Sequence, residues 1–206
     1  MTIEELLDLC DLYVATQDKL VQCEPFSCSN EDLDDFFAKD ATLYHKHLLG
    51  KTYFFCLKTN PKVIVSAFTL SNDSIRISNK LNESAKEQFL EDTNLSEKKL
   101  RRYPAVLIGR LGTNKNFLGK GFGSAVMDFI KSWFRLDSKT GCRFFIVDAY
   151  NNTATIKYYL KNDFHFLIDD EKLEAKYVGI GIGRLPLKTR LMYFDLLDIN
   201  VEEEQN

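Results

Sequence analysis

The stretch that decides the reading is Asn116-Phe-Leu-Gly-Lys-Gly-Phe-Gly-Ser124. Gly119, Gly121 and Gly123 alternate between a segment of strand character and one of helical character. Upstream, Ala105-Val-Leu-Ile-Gly-Arg-Leu-Gly112 reads as a buried strand. Downstream, Phe122, Ala125, Val126, Phe129, Ile130 and Trp133 recur at helical spacing. The first backbone N–H groups of a helix have no intrahelical partner, and its dipole is positive there. Glycines let such a backbone approach an anion closely. A phosphate or pyrophosphate on Gly119 to Ser124, helped by Lys120, is the physical expectation. A flexible turn with capping glycines would carry the same residues.

Three ligand classes compete for the loop. A P-loop needs G-x-x-x-x-G-K-S/T, but Gly112 and Gly119 are too far apart, and Gly121 stands where a hydroxyl must meet magnesium. A dinucleotide or methyl-donor fold would also place an acidic residue such as Asp148 after the next strand. Only about 85 residues would then remain for a fold that usually needs more strands. The strand-to-glycine gap is also too long for that fingerprint's tight turn. An acetyl-coenzyme A site is the third class.

A second string bears on the choice. The strand-like Arg143-Phe-Phe-Ile-Val147 ends in Asp148-Ala-Tyr, and Asn151 or Asn152 then caps a helix. The helix reads Asn152-Thr-Ala-Thr-Ile-Lys-Tyr-Tyr-Leu-Lys-Asn-Asp-Phe164. The two strings, in this order, resemble the GNAT superfamily of N-acetyltransferases. The loop is similar to its (Q/R)-x-x-G-x-(G/A) motif, and the helix to N-x-x-A-x-x-(F/Y)-Y-x-x-x-G-F. Two departures stand out: Asn116 for Gln or Arg, and Asp163 for Gly. Phe26 to Phe37 and Arg102 to Leu111 further resemble the branch that includes toxin-type acetyltransferases of aminoacyl-tRNA.

The resemblance implies an α/β (α+β) fold: a mixed, mostly antiparallel sheet, splayed between its fourth and fifth strands and flanked by helices. It implies one acetyltransferase domain over residues 1–206, with acetyl-CoA as cosubstrate and no metal. The cofactor-binding residues would be Leu111, Gly112, Thr113, Asn116, Gly119, Lys120, Gly121, Phe122, Gly123, Ser124 and Asn152. A backbone N–H near Leu111 would polarise the thioester carbonyl. Tyr159 falls on the family's catalytic tyrosine, Tyr158 on its packing aromatic, and Phe164 on the start of the sixth strand.

A tyrosine with its ordinary pKa of about 10 is protonated at neutral pH, so Tyr159 suits a general acid. The plain structural reading of Tyr159 is an aromatic at the edge of a core. The base is open: Asp148, or a water, since an α-amine has a pKa of only about 7.7–8.0. Cys142 begins a strand and has no histidine near it in sequence, which disfavours a covalent route.

The rest of the chain bounds the class. There are 206 residues, 45% hydrophobic and 28% charged, the balance of a globular domain. Net charge is -3, from 27 basic and 30 acidic side chains, which disfavours nucleic-acid binding by overall charge. Two basic clusters could nonetheless face RNA: Lys98, Lys99, Arg101 and Arg102, and Arg184, Lys188 and Arg190. No run approaches the roughly 18 apolar residues of a membrane span. The first residues are acidic where a signal peptide is basic. Five scattered cysteines without a C-x-x-C pair point to reduced thiols in the cytoplasm. His45 and His47 point in different directions on a helix, which disfavours a metal site.

Working outward, residues 3–20 predict one amphipathic helix, and Ser29 the cap of a second that Gly50 ends. Residues 51–58 and 63–70 predict a hairpin across Thr59-Asn-Pro-Lys62. Residues 79–102 suggest one or two short helices. Phe164 to Ile168 and Thr189 to Leu197 read as strands. The Gly179-Ile-Gly-Ile-Gly183 stretch reads as a twisted strand or loop, and 200–206 as a frayed acidic tail. Three functions remain in view: an N-acetyltransferase acting on a small molecule, peptide or aminoacyl group; an aminoacyl-tRNA acetylating toxin; and a non-catalytic coenzyme A-binding module. The partner is then an amine acceptor, with tRNA disfavoured by charge, no membrane, and a monomer or homodimer.

Overall fold

In the computed structural model, which describes residues 1–77, 81, 83–93, 100–137 and 141–199, Thr2 opens the first helix. Its hydroxyl accepts the Glu5 amide while the Glu5 carboxylate accepts that of Thr2, a capping box for α1 (Ile3–Leu9). At Cys10 the backbone turns extended and β1 (Cys10–Val14) begins at once. Thr16 then caps α2 (Gln17–Leu20). The single helix expected over 3–20 is therefore helix, strand and short helix. The cause is pairing: Cys10 to Val14 lie antiparallel to β2 (Lys51–Leu57), from Cys10 opposite Leu57 to Val14 opposite Tyr53. Tertiary pairing overrides local helical spacing.

The second helical region starts one residue later than expected. Ser29 sits at φ 64, and Asn30 caps α3 (Glu31–Asp35) by accepting the Leu33 amide. A π turn over Phe36–Asp40 leads into α4 (Ala41–Lys46). The stop expected of Gly50 is made by Leu48, at φ 57. Gly50 matters for space instead: a Cβ there would lie 3.1 Å from Cγ2 of Thr69. The hairpin forms as read. β2 pairs antiparallel with β3 (Ile64–Arg76), with a register shift between Phe55 and Cys56. β3 runs on past Leu70 to Arg76.

Within 79–102 the described residues hold one helix, α5 (Glu83–Asp92); 79, 80, 82 and 94–99 lie outside them. Then come β4 (Arg102–Thr113), α6 (Phe122–Asp137), β5 (Phe144–Tyr150) and α7 (Thr153–Lys161). The strand expected over Phe164 to Ile168 shrinks to β6 (His165–Phe166). The glycine stretch takes the loop form of its two readings, with no strand. Asp170 caps α8 (Glu171–Val178), and Gly179, at φ 80, ends it in the left-handed conformation, before a 3-10 turn over Ile182–Arg184. The last strand is β7 (Thr189–Asp195). The frayed tail expected over 200–206 falls outside the described residues.

The strand order is β1-β2-β3-β4-β5-β7-β6. β4 and β5 run parallel from Ala105 opposite Phe144 to Leu107 opposite Ile146. β5 and β7 are antiparallel over seven pairs, Phe144–Asp195 to Tyr150–Thr189. β6 is antiparallel to β7. This is the mixed, mostly antiparallel sheet that the resemblance implied.

The chain divides into two compact units, residues 1–72 with 108–133, and 73–107 with 134–206. In the first, Phe36, Phe37, Phe54, Cys56, Ile64 and Ala67 form a core. There Trp133 meets the Tyr53 ring edge-on at 5.2 Å, and Phe129 meets Phe55 at 5.1 Å. In the second, the Phe89 ring lies 5.3 Å from those of both Phe144 and Tyr193. Two ion pairs tie that unit's elements: Arg143 to Asp195 at 2.8 Å, and the buried Arg190 to Glu174 at 2.6 Å.

Candidate active site

In the first unit, the end of β4 is fixed to β3. Ser66 Oγ donates to the Gly112 carbonyl at 2.9 Å. Asn114 donates its amide to Val65 O at 2.8 Å and its Nδ2 to Ile64 O at 2.9 Å. Its Oδ1 accepts the Asn116 amide at 3.0 Å, which opens a 3-10 turn over Lys115–Phe117. Gly112 is buried, and a Cβ there would lie 3.0 Å from Cys28 Sγ. Leu111 and Thr113, on either side, are half-buried.

The glycine loop leaves this anchor. Gly119 and Gly121 stand at φ 73 and 87, the left-handed region where L side chains are strained. A Cβ on Gly119 would meet nothing within 4 Å, whereas one on Gly121 would lie 3.1 Å from Met1 Cβ. Lys120 is exposed and folds back, its Nζ 3.0 Å from the Asn116 carbonyl and 5.3 Å from the centre of the Phe117 ring. Phe122 is buried and packs edge-on against Phe117 at 5.4 Å. The Ala125 amide donates to Gly121 O at 3.1 Å and starts the 16-residue α6, with Gly123 and Ser124 half-buried in its first turn. Asn116, Gly119, Lys120 and Gly121 are all exposed. An open loop with two left-handed glycines at the N-terminus of a long helix fits a pyrophosphate.

In the second unit, Asn152 Oδ1 accepts the Thr155 amide at 2.9 Å, so this candidate is the cap of α7. Tyr159 is buried, its ring 5.2 Å from Tyr158 and 5.3 Å from Phe164. Among the described residues its hydroxyl makes no hydrogen bond. Burial pushes the phenol pKa well above its ordinary value, and the Asp148 carboxylate adds to the shift. Tyr158, read as the packing aromatic, is the more exposed of the two. Leu160 faces solvent at 46% exposure.

Asp148 does not end its strand. It lies within β5, opposite Leu191, and is exposed. Asp163, where the family has Gly, adopts φ 58, and the Phe164 amide closes the turn onto Tyr159 O at 3.0 Å. The departure thus keeps a glycine-like turn, at some strain. Burial pushes the Cys142 thiol up to about 11, and its Sγ lies 3.4 Å from Phe144 O. A thiol pushed up in this way holds little thiolate at neutral pH, which disfavours it as a nucleophile.

Of the basic clusters, Arg101, Arg102, Arg184 and Lys188 are exposed, and Lys98 and Lys99 lie outside the described residues. Arg190 leaves its cluster: it is buried on Glu174 and donates to Ile168 O and Asp169 O. No group of three metal-ligating side chains occurs among the described residues. No described helix is long and apolar enough to cross a membrane. Sequence reasoning did not single out Ser66 or Asn114. Asn114, at the head of a turn after a strand, had a findable signal, because asparagine caps turns. Ser66, inside an apolar strand, had none.

The model of the acetyltransferase (GNAT) family matches residues 18–164, a span that enters both units. The chain belongs to this family and is an N-acetyltransferase. No curated protein matches it by sequence. Among solved structures it is similar to a tyrosine-to-phenylalanine mutant of KacT, at 17% identity over 91% of this chain and 96% of that one, TM-score 0.62. It is also similar to AtaT complexed with acetyl-methionyl-tRNAfMet, at 16% identity, 91% and 96% coverage and TM-score 0.62. A third is AtaTR bound with acetyl-CoA, at 18% identity, 93% and 96% coverage and TM-score 0.62. At such identities the likeness is one of fold.

Proposed function

We propose that this chain, as one acetyltransferase domain, transfers the acetyl group of acetyl-CoA directly to an amine of a small molecule, peptide or aminoacyl group. The observation that carries the reading is the Tyr159 hydroxyl, on a buried ring, held protonated, with no protein hydrogen bond among the described residues. Acetyl-CoA supplies an acyl thioester. Backbone N–H groups of the 119–124 loop hold its pyrophosphate. The backbone at Leu111 to Thr113 aligns the pantetheine arm, and an N–H there polarises the thioester carbonyl. The acceptor nitrogen bonds to the acetyl carbon, the carbon–sulfur bond breaks, and Tyr159 gives its proton to the departing thiolate. The proton lost by the amine goes to water or to Asp148. No step calls on a metal.

Aminoacyl-tRNA is a second reading of the acceptor. The likeness in fold to AtaT, solved with acetyl-methionyl-tRNAfMet, favours testing it. Exposed Arg101, Arg102, Arg184 and Lys188 could meet phosphates, against a net charge of -3. Purified protein given acetyl-labelled acetyl-CoA, with charged tRNA in one vessel and free amino acids, peptides and polyamines in others, tests both. Label on charged tRNA selects the second reading; label on a free amine alone selects the first. Acetyl-CoA binding without label anywhere would leave a coenzyme A-binding module and overturn the enzymatic proposal.

A further inference from the structure

Arg110 stands in β4, one residue before Leu111, and among the described residues it has no ion-pair partner. Its Nε is buried without a hydrogen-bond partner, the one such side-chain atom among the described residues. Nη1 donates to the neighbouring Gly109 carbonyl at 2.7 Å. The guanidinium carbon lies 5.0 Å from the centre of the Phe36 ring, and Phe36 opens the π turn that interrupts the helical run from α3 to α4. Such turns are frequent at functional sites. Among the described residues no carboxylate pairs with Arg110, although Glu31, Asp32, Asp34, Asp35 and Asp40 all stand on the adjoining segment. Asp34 is spent on Ser27 Oγ and the Cys28 amide, both at 2.7 Å, and Asp35 pairs with Lys39 at 2.8 Å.

A cation half-removed from water with no counter-ion has lost solvation and gained little. The edge left over, Nε with Nη2, is the one that matches two oxygens of a carboxylate or phosphate in parallel hydrogen bonds. The adjacent backbone is the stretch assigned to the thioester. We infer that Arg110 is the acceptor-recognition residue, and that it binds an oxyanion, carboxylate or phosphate, carried by the amine that is acetylated. This rests on the acetyltransferase reading and names the chemistry of its acceptor. The oxyanion has two possible sources: the free carboxylate of an amino acid or peptide, or a phosphodiester beside an aminoacyl ester.

Two matched pairs of probes separate the sources. Glycylglycine is compared with glycylglycinamide, which lacks the carboxylate. The alanyl ester of cytidylyl-adenosine is compared with that of adenosine, which lacks the phosphate. Calorimetric binding and kcat/KM are measured for all four on wild type, Arg110→Lys and Arg110→Met. The wild type should favour the anionic member of one pair by at least about tenfold, because a polar site left unanswered rejects the analogue. Arg110→Met should bring the ratio to near one, and Arg110→Lys should keep only part of it. Thermal melting should show Arg110→Met no less stable than wild type, whereas a structural arginine would lower the melting point and leave the ratio intact. Equal binding of both members of both pairs to wild type, or a preference that survives Arg110→Met, overturns the proposal. Failure of the acetyltransferase reading shows separately, as wild type that does not bind acetyl-CoA in the same calorimeter.

Discussion

Replacing Tyr159 by Phe removes one oxygen and leaves the ring between Tyr158 and Phe164. Since that oxygen has no protein hydrogen bond among the described residues, stability should move by no more than about 0.5 kcal/mol. The rate should not be spared. A general acid contributes about 10²–10⁴, or roughly 2.7–5.4 kcal/mol of barrier at 1.36 per decade. The loss should fall on kcat, with the KM for acetyl-CoA nearly unchanged, because the proton moves only as the thiolate leaves. The pH profile carries a sign. Burial and the Asp148 charge raise the phenol's pKa, so the folded state holds this proton more tightly than the unfolded chain. Deprotonation of Tyr159 should therefore depress kcat only above about pH 10, the ordinary tyrosine value, and never between 7 and 9. Labelled acetyl transfer from pH 6 to 10 reads the loss in kcat and should show no fall assignable to Tyr159 across the range. Tyr158→Phe is the control and should stay within about twofold of wild type. Wild-type turnover by Tyr159→Phe, or the larger loss in Tyr158→Phe, would refute the assignment.

Other consequences can be read in stability and binding. Asn114→Ala strips partners from Ile64 O and the Asn116 amide and should cost about 2 kcal/mol in urea unfolding, with at least tenfold weaker acetyl-CoA binding. Asp163→Gly relieves the strain of φ 58 and should raise stability by about 0.5–1 kcal/mol while leaving kcat unchanged; a lower melting point would speak against the strain. Cys142, with its thiol pushed up to about 11, should tolerate replacement by Ser with less than about a twofold change in rate, and should react slowly with iodoacetamide at neutral pH. A large rate loss in Cys142→Ser would reopen a covalent route.

The second half of the chain was largely legible because its signals are local. The run from Phe122 to Trp133 shows a clean helical period, and the Gly119–Gly123 alternation marks the loop; both stand where expected. The N-terminal region was not legible. Cys10, Tyr13 and Val14 fit a helical stripe as well as a strand, and pairing with Lys51–Leu57, distant in sequence, decided between them. Gly179 carried a stop signal for α8, obscured by the two glycines that follow it. The motif pointed to Tyr159, but the raised phenol pKa and the lack of a hydrogen bond on its hydroxyl among the described residues depend on packing that no spacing reveals. The burial of Arg190 on Glu174, and the unanswered Nε of Arg110, belong to the same class.

On the proposed function, the 119–124 loop holds the pyrophosphate of acetyl-CoA. Calorimetric titration of acetyl-CoA into wild type and Gly121→Glu tests it most directly. Gly121 sits at φ 87 with Met1 against its Cβ position, so any side chain disturbs the loop, and a carboxylate adds negative charge where the phosphates would lie. One acetyl-CoA should bind per wild-type chain, and binding should be lost in Gly121→Glu while circular dichroism shows both folded. Equal affinity of the two folded proteins for acetyl-CoA would contradict it.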